Sequence, residues 1–255
     1  MKYKALIVKL FKEMVRDPIV YIFCGLMPIA MLALFAVINH YVDAPVAIFE
    51  MKSLVPGIIV FSFSFIMLSL SLTISRDMKT AVLRRIYIAP IKTRNIIVSY
   101  IVIGISISLV QEIIAIFSGY ILTLILGSAY FSFVDALLLI IVNIPIALIF
   151  ILSGVIFGMV LSDTAAPGVS SVIISASGIV GGAWMPLETM GGFMKFSSFL
   201  PFYPAVYFGR IITGATDAFN NSYMISSSNW YYILVLAFYL VFTFLLCCII
   251  IPKKR

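Results

Sequence analysis

One carboxylate stands where a carboxylate is costly. Glu112 is the only charged residue between Arg94 and Asp135, near the middle of a long apolar run, with Gln111 beside it. A charge at that depth in a membrane marks function by default, through contact with a solute or a polar pair across an interface. The competing role is structural: a hydrogen bond to Ser or Thr on a neighbouring helix. No second His, Asp or Glu shares the apolar depth of Glu112, so the clustered acid–base groups of an intramembrane enzyme are lacking. His40 and Asp43 lie close in sequence, but one His and one Asp do not make a metal site, and they read as solvated loop. No G-x-x-x-x-G-K-[ST] occurs. The pairs Gly181-Gly182 and Gly191-Gly192 have no Lys-Ser or Lys-Thr after them, so nothing in the chain cradles a nucleotide phosphate. Neither a carbonyl filter nor a repeated acidic ring argues for a channel. Cys24, Cys247 and Cys248 all fall in apolar segments and read as small packing residues.

The elements that carry these residues are set by composition. The chain has 255 residues, 63% apolar and only 11% charged. Soluble domains run near 45–50% apolar and about 25% charged. A water-soluble fold could not cover that apolar surface, whereas a bilayer leaves it uncovered at no cost. The pattern predicts an all-α integral membrane protein forming one transmembrane domain over 1–255. Segment 1–17 places Tyr3, Leu6, Ile7, Leu10, Phe11 and Met14 on one helical face and Lys2, Lys9, Lys12, Glu13 and Arg16 on the other. It reads as an amphipathic helix in the membrane interface, ended by Asp17-Pro18 and unlike a cleaved signal peptide. Six spans are expected, over about 19–39, 54–75, 96–127, 136–161, from the 162–167 connection to about 183, and 230–251. The fifth is rich in Gly, Ser and Ala, which let helices approach closely. Two interruptions stand out. The segment 77–88 reads as a short basic and apolar helix stopped before Pro90. The stretch 185–214 is apolar but broken by glycines and prolines and carries Lys195 and Arg210. It reads as two short helices that dip partway into the membrane and return, a re-entrant hairpin between spans five and six on the outer side.

Basic residues orient this arrangement. Five precede Pro18, six lie from Arg76 to Arg94 and three close the chain, all on one side. Only Lys52, Lys195 and Arg210 fall on the other. The positive-inside rule places both termini in the cytoplasm of a multi-pass protein of the cell membrane. The same reading accounts for the net charge of +7 without nucleic acid. The sequon Asn220-Asn221-Ser222 carries little meaning in a chain read as prokaryotic. Trp184, Trp230, Tyr231 and Tyr232 read as an aromatic belt at the outer interface.

Two stretches carry a resemblance. RRIYIAPIKTRNIIVSY at Arg84 to Tyr100 has a basic, apolar helix, a Pro, a short basic turn and a helix start. SGIVGGAWMPLETMGGFMKFSSFLPFYPAVYFGRIITG at Ser177 to Gly214 has Gly and Pro before a hairpin, a Pro-rich turn, then Arg and Gly. Together, and over essentially the whole chain, they resemble the permease subunit of a type-2 ABC exporter, and more the drug and peptide branch than the polysaccharide one. One departure is Arg76-Asp77-Met78-Lys79-Thr80, where the family often has Glu then Gly.

The resemblance implies the following roles. The 77–88 helix would be a coupling helix seated on a separate ATPase, with Lys79, Val82, Leu83, Arg84, Arg85 and Ile86 as contacts; the competing reading is a topogenic loop touching only anionic lipid. Pro186, Pro201, Phe202, Tyr203, Pro204 and Tyr207 would form the re-entrant element and outer gate, with Gln111 and Glu112 as intramembrane polar residues. The chain would be non-catalytic and bind no cofactor or metal, with ATP and Mg on two copies of a cytoplasmic ABC ATPase. A second permease, itself or a paralogue, would complete a path that moves an amphipathic cargo (drug, peptide or lipid) outward. The alternative within the family is export of a lipid-linked cell-wall polysaccharide.

Overall fold

The computed structural model describes residues 2–18, 20–43, 46–79 and 93–253. Among these the structure is helical. Helix α1 is Lys2–Arg16, followed by a π-helical segment Val20–Leu26 and α2, Met27–Tyr41. Then come α3 (Met51–Lys79), α4 (Thr93–Leu126), α5 (Phe133–Val160) and α6 (Ala165–Ile179). Two short helices, α7 (Gly192–Ser197) and α8 (Phe202–Ile212), precede the last, α9 (Tyr231–Lys253).

Local chemistry explains several boundaries. The π winding lies immediately ahead of Pro28. Pro28 has no N–H to give, and a wider turn is one way a helix absorbs that loss. Helix α5 starts at a capping box: Ser132 Oγ accepts from the Asp135 N–H while the Asp135 carboxyl accepts from the Ser132 N–H, 3.0 Å.

Five helices are long and apolar enough to cross a membrane: Val20–Tyr41, Met51–Met78, Ile96–Leu126, Phe133–Val160 and Tyr231–Ile250. The fifth expected span is shorter than the sequence pattern suggests. Helix α6 stops at Ile179 after 15 residues, about 22 Å at 1.5 Å per residue against a hydrocarbon core of about 30 Å. The Gly181-Gly182 pair then turns the chain toward Trp184.

Helix α3 is the centre of the bundle. Of its most apolar 18 residues, 89% are buried, against 11% for α9. It packs along α5 through glycines and along α4, α6 and α8. At its far end Asp77 accepts a hydrogen bond from the Tyr100 hydroxyl of α4, 2.5 Å, and Arg76 lies 4.0 Å from Asp17 after α1. We call this end of the molecule the Lys79 face, and the end carrying residues 46–50, the 127–132 loop and the turn 213–230 the hairpin face.

Trp184, expected in an aromatic belt, packs against rings of the bundle. It is half-buried, stacked on Phe35 (5.8 Å) and edge-on to Phe61 (4.9 Å), and the absence of a side chain on Gly178 makes room for its ring. Trp230, by contrast, is exposed.

Candidate functional site

Three places gather the residues singled out above. The first is the Lys79 face. Asp77, Met78 and Lys79 do not begin a separate helix; they are the last turn of α3, which runs unbroken from Met51. Val82, Leu83, Arg84, Arg85 and Ile86 lie outside the described residues. What the structure fixes is their point of departure: the end of the most buried helix, tied to α4 through Asp77 and Tyr100.

The second is the polar cluster at mid-bundle. Glu112 is 2% exposed and Gln111 1%. Adjacent helical positions diverge by about 100°, and the two side chains reach different neighbours. Asn143 of α5 donates through Nδ2 to Glu112 Oε1, 2.5 Å, and Gln111 Nε2 donates to the Ser62 carbonyl of α3, 3.1 Å. The partner of Glu112 is therefore an amide rather than Ser or Thr. The sequence signal for Asn143, which sequence reasoning missed, is a lone Asn in the first third of the apolar run 136–161. Gln111 Oε1, Asn143 Oδ1 and Ser62 Oγ are buried with no partner among the described residues. Such unsatisfied oxygens at apolar depth are costly.

The third is the hairpin. Helix α8 starts deep and ends shallow. Phe202, at its start, is 5.9 Å from the Phe150 ring, midway along α5. Gly209, near its end, abuts Pro56 in the second turn of α3 and Leu139 in the second turn of α5. Pro201, Phe202, Tyr203 and Pro204 thus sit together at the inner end of this element. Pro186 opens the 3-10 turn Leu187–Met190 on the hairpin face. Tyr203 is fully buried, with Tyr207 5.9 Å and Tyr232 5.8 Å away by ring centroids. The Tyr203 hydroxyl donates to Glu188 Oε1, 3.3 Å, and the Tyr223 hydroxyl donates to the same oxygen, 2.5 Å. Tyr207 instead donates to the Met224 carbonyl, 3.0 Å, and accepts from Asn229 Nδ2, 2.7 Å. Burial pushes the Tyr223 phenol above its ordinary value, which keeps it neutral and able to donate.

Arg210 is the residue of this region that sequence reasoning underrated. Its side chain is 0% exposed. Nε donates to the Ser53 carbonyl of α3 (3.2 Å), Nη2 to the Gly182 carbonyl (2.6 Å) and Nη1 to the Tyr223 hydroxyl (3.4 Å). The guanidinium also lies over the Tyr223 ring, 5.5 Å from its centroid. A lone Arg in an apolar, Pro-broken stretch was the available signal.

Long apolar helices packed around a buried central one define a multi-pass helical membrane protein. A family model described as ABC-2 type transporter matches residues 1–213, and the chain belongs to that family. It is accordingly a membrane permease of an ABC transporter, a class of component that is generally non-catalytic and whose family implies an ABC ATPase partner. No curated protein and no solved structure matches the chain.

Proposed function

We propose that this chain is the membrane-spanning subunit of an ATP-driven exporter that moves an amphipathic cargo outward. The observation that carries the reading is the family match over residues 1–213. In this reading α6, extended by the turns to Ala183, serves as a sixth and short span, so both termini and the Lys79 face lie in the cytoplasm. The segment after Lys79, with Val82, Leu83, Arg84, Arg85 and Ile86, docks on the ATPase. The Pro186-to-Tyr207 element is a re-entrant hairpin near the outer surface; the depth of Phe202 beside Phe150 supports it. Two ATPase copies, which carry ATP and Mg, and a second permease complete the assembly. Closure of the ATPases on ATP then shifts the permeases as rigid bodies.

An amphipathic cargo suits the surface. An open groove of about 600 Å³ between α4 and α5 has aliphatic and aromatic walls with Tyr120, Tyr130 and Ser132 as its polar groups. A second, of about 560 Å³, lies between α1, the π segment and α4, with Ser106 and Gln111. Apolar walls with few polar groups are what amphiphile sites use. The test is ATP-dependent uptake of an amphiphilic fluorescent dye into inverted membrane vesicles containing this chain and its co-expressed ATPase. Uptake that needs both subunits is the expected result. Dye that equilibrates equally without ATP, or without this chain, would contradict the reading.

A further inference from the structure

The hairpin is bolted to one end of α3, and the segment proposed to meet the ATPase leaves from the other. We propose that Arg210 and Thr213 are positioning residues of a latch that makes α3 and the hairpin one mechanical unit, so that displacement at the Lys79 face is delivered to the hairpin. This rests on the exporter reading above.

The latch is built around a gap in the hydrogen bonding of α3. In an α-helix the carbonyl of residue 52 would accept from the N–H of residue 56. Residue 56 is Pro56, which has no N–H. The Lys52 carbonyl is instead met by the Thr213 hydroxyl, 2.6 Å, from just past the end of α8. One residue on, the Ser53 carbonyl accepts from Arg210 Nε, 3.2 Å. Two adjacent carbonyls of the first turns of α3 are therefore held by two side chains one turn apart on the hairpin. Arg210 carries the same hold to the end of the α6 connection through the Gly182 carbonyl, 2.6 Å.

Steric fit points the same way. A Cβ on Gly57 would stand 2.5 Å from the Ala183 carbonyl oxygen, and one on Gly209 would stand 2.6 Å from Pro56 Cβ. Backbone meets backbone at Gly57 and backbone meets the Pro56 ring at Gly209, which leaves little slack for sliding. Parting a fully buried cation from its three acceptors would leave it and two backbone carbonyls unpaired inside the bundle, so the joint does not open cheaply. From Ser53 to Lys79 the rod is about 39 Å long at 1.5 Å per residue. A long, buried helix joined at one end and driven at the other transmits motion as a rigid element.

The experiment uses the full chain in membranes with its co-purified ATPase. The exposed Cys248 is replaced by Ser, and Lys195→Cys on α7 supplies a reporter. The readout is the rate at which a membrane-impermeant maleimide modifies that thiol, nucleotide-free against vanadate-trapped. In the otherwise parental chain the rate is expected to change severalfold on trapping. With Thr213→Val the change falls below twofold, and with Thr213→Ser it is retained. Adding Pro56→Ala to Thr213→Val lets residue 56 satisfy the Lys52 carbonyl within α3 but leaves the hairpin unjoined, so stability is expected to return while the response stays below twofold. Arg210→Lys, which keeps the charge but not the fork, also lowers the response and serves should Thr213→Val fail to fold. A full response in Thr213→Val or in Arg210→Lys would overturn the latch while leaving the exporter reading standing. No response in the parental chain would overturn the latch, while the dye-uptake assay decides the exporter reading separately. A merely structural Thr213 would change yield but not the ratio of the two rates.

Discussion

Arg210 and Glu112 are the two charged side chains buried to 2% exposure or less among the described residues, and they are accommodated in opposite ways. Arg210 spends its donors on two backbone carbonyls and a tyrosine hydroxyl, each from a different part of the chain. Glu112 has one side-chain partner, Asn143, whose own carbonyl oxygen is left without one. A charge held by backbone fixes position, since backbone groups cannot rotate away. A carboxyl held by one side chain, close to other unsatisfied oxygens, can exchange partners. The difference makes Arg210 part of the fixed frame and leaves Glu112 the less constrained of the two.

Removing the frame should cost most. Arg210→Ala leaves the Ser53 and Gly182 carbonyls and a large cavity behind, and a loss of about 3–5 kcal/mol is expected. The thermal unfolding midpoint in mild detergent checks it; an unchanged midpoint would erase the contrast with Glu112. Gly57→Ala tests the same joint from the steric side. The added methyl would meet the Ala183 carbonyl, so a cost of about 1–3 kcal/mol is expected, read from the same midpoint. Glu112→Gln should be milder, about 1 kcal/mol or less, because an amide still pairs with Asn143. Its effect should fall on dye uptake instead. A Glu112→Gln chain that transports as well as the parent would place Glu112 in the frame as well. Thr213→Val is expected to cost about 1 kcal/mol, and less still when Pro56→Ala is present, a non-additivity that a double-mutant cycle measures.

Much of this was legible in the sequence, for physical reasons. The span Phe133–Val160 has no charge after Asp135, and hydrocarbon tolerates little else. Glu112 announced itself because a single carboxyl in such a run is costly and needs a partner, whether its role is functional or structural. Its partner did not, because which face of α5 meets α4 depends on packing that periodicity cannot rank when every position is apolar. The same limit hid the role of Arg210. Ser53, Gly182 and Tyr223 are far from it in the chain, and the bonds to Ser53 and Gly182 use backbone carbonyls that leave no trace in residue type. The helix expected to begin at Asp77 was misjudged for a related reason. The change from apolar to charged residues after Ser75 marks the edge of the apolar span, while α3 continues through Lys79 because nothing there breaks a helix. The short α6 was overestimated because the apolar composition persists past Ile179, although Gly181 and Gly182 end the helix.

The most direct test of the central claim, that this permease is worked by a separate ATPase, is hydrolysis by the co-purified complex in lipid. Arg84→Glu with Arg85→Glu in the segment after α3 should release the ATPase from the chain and abolish any amphiphile-stimulated ATP hydrolysis. An ATPase that stays bound and is stimulated to the parental level would contradict the account.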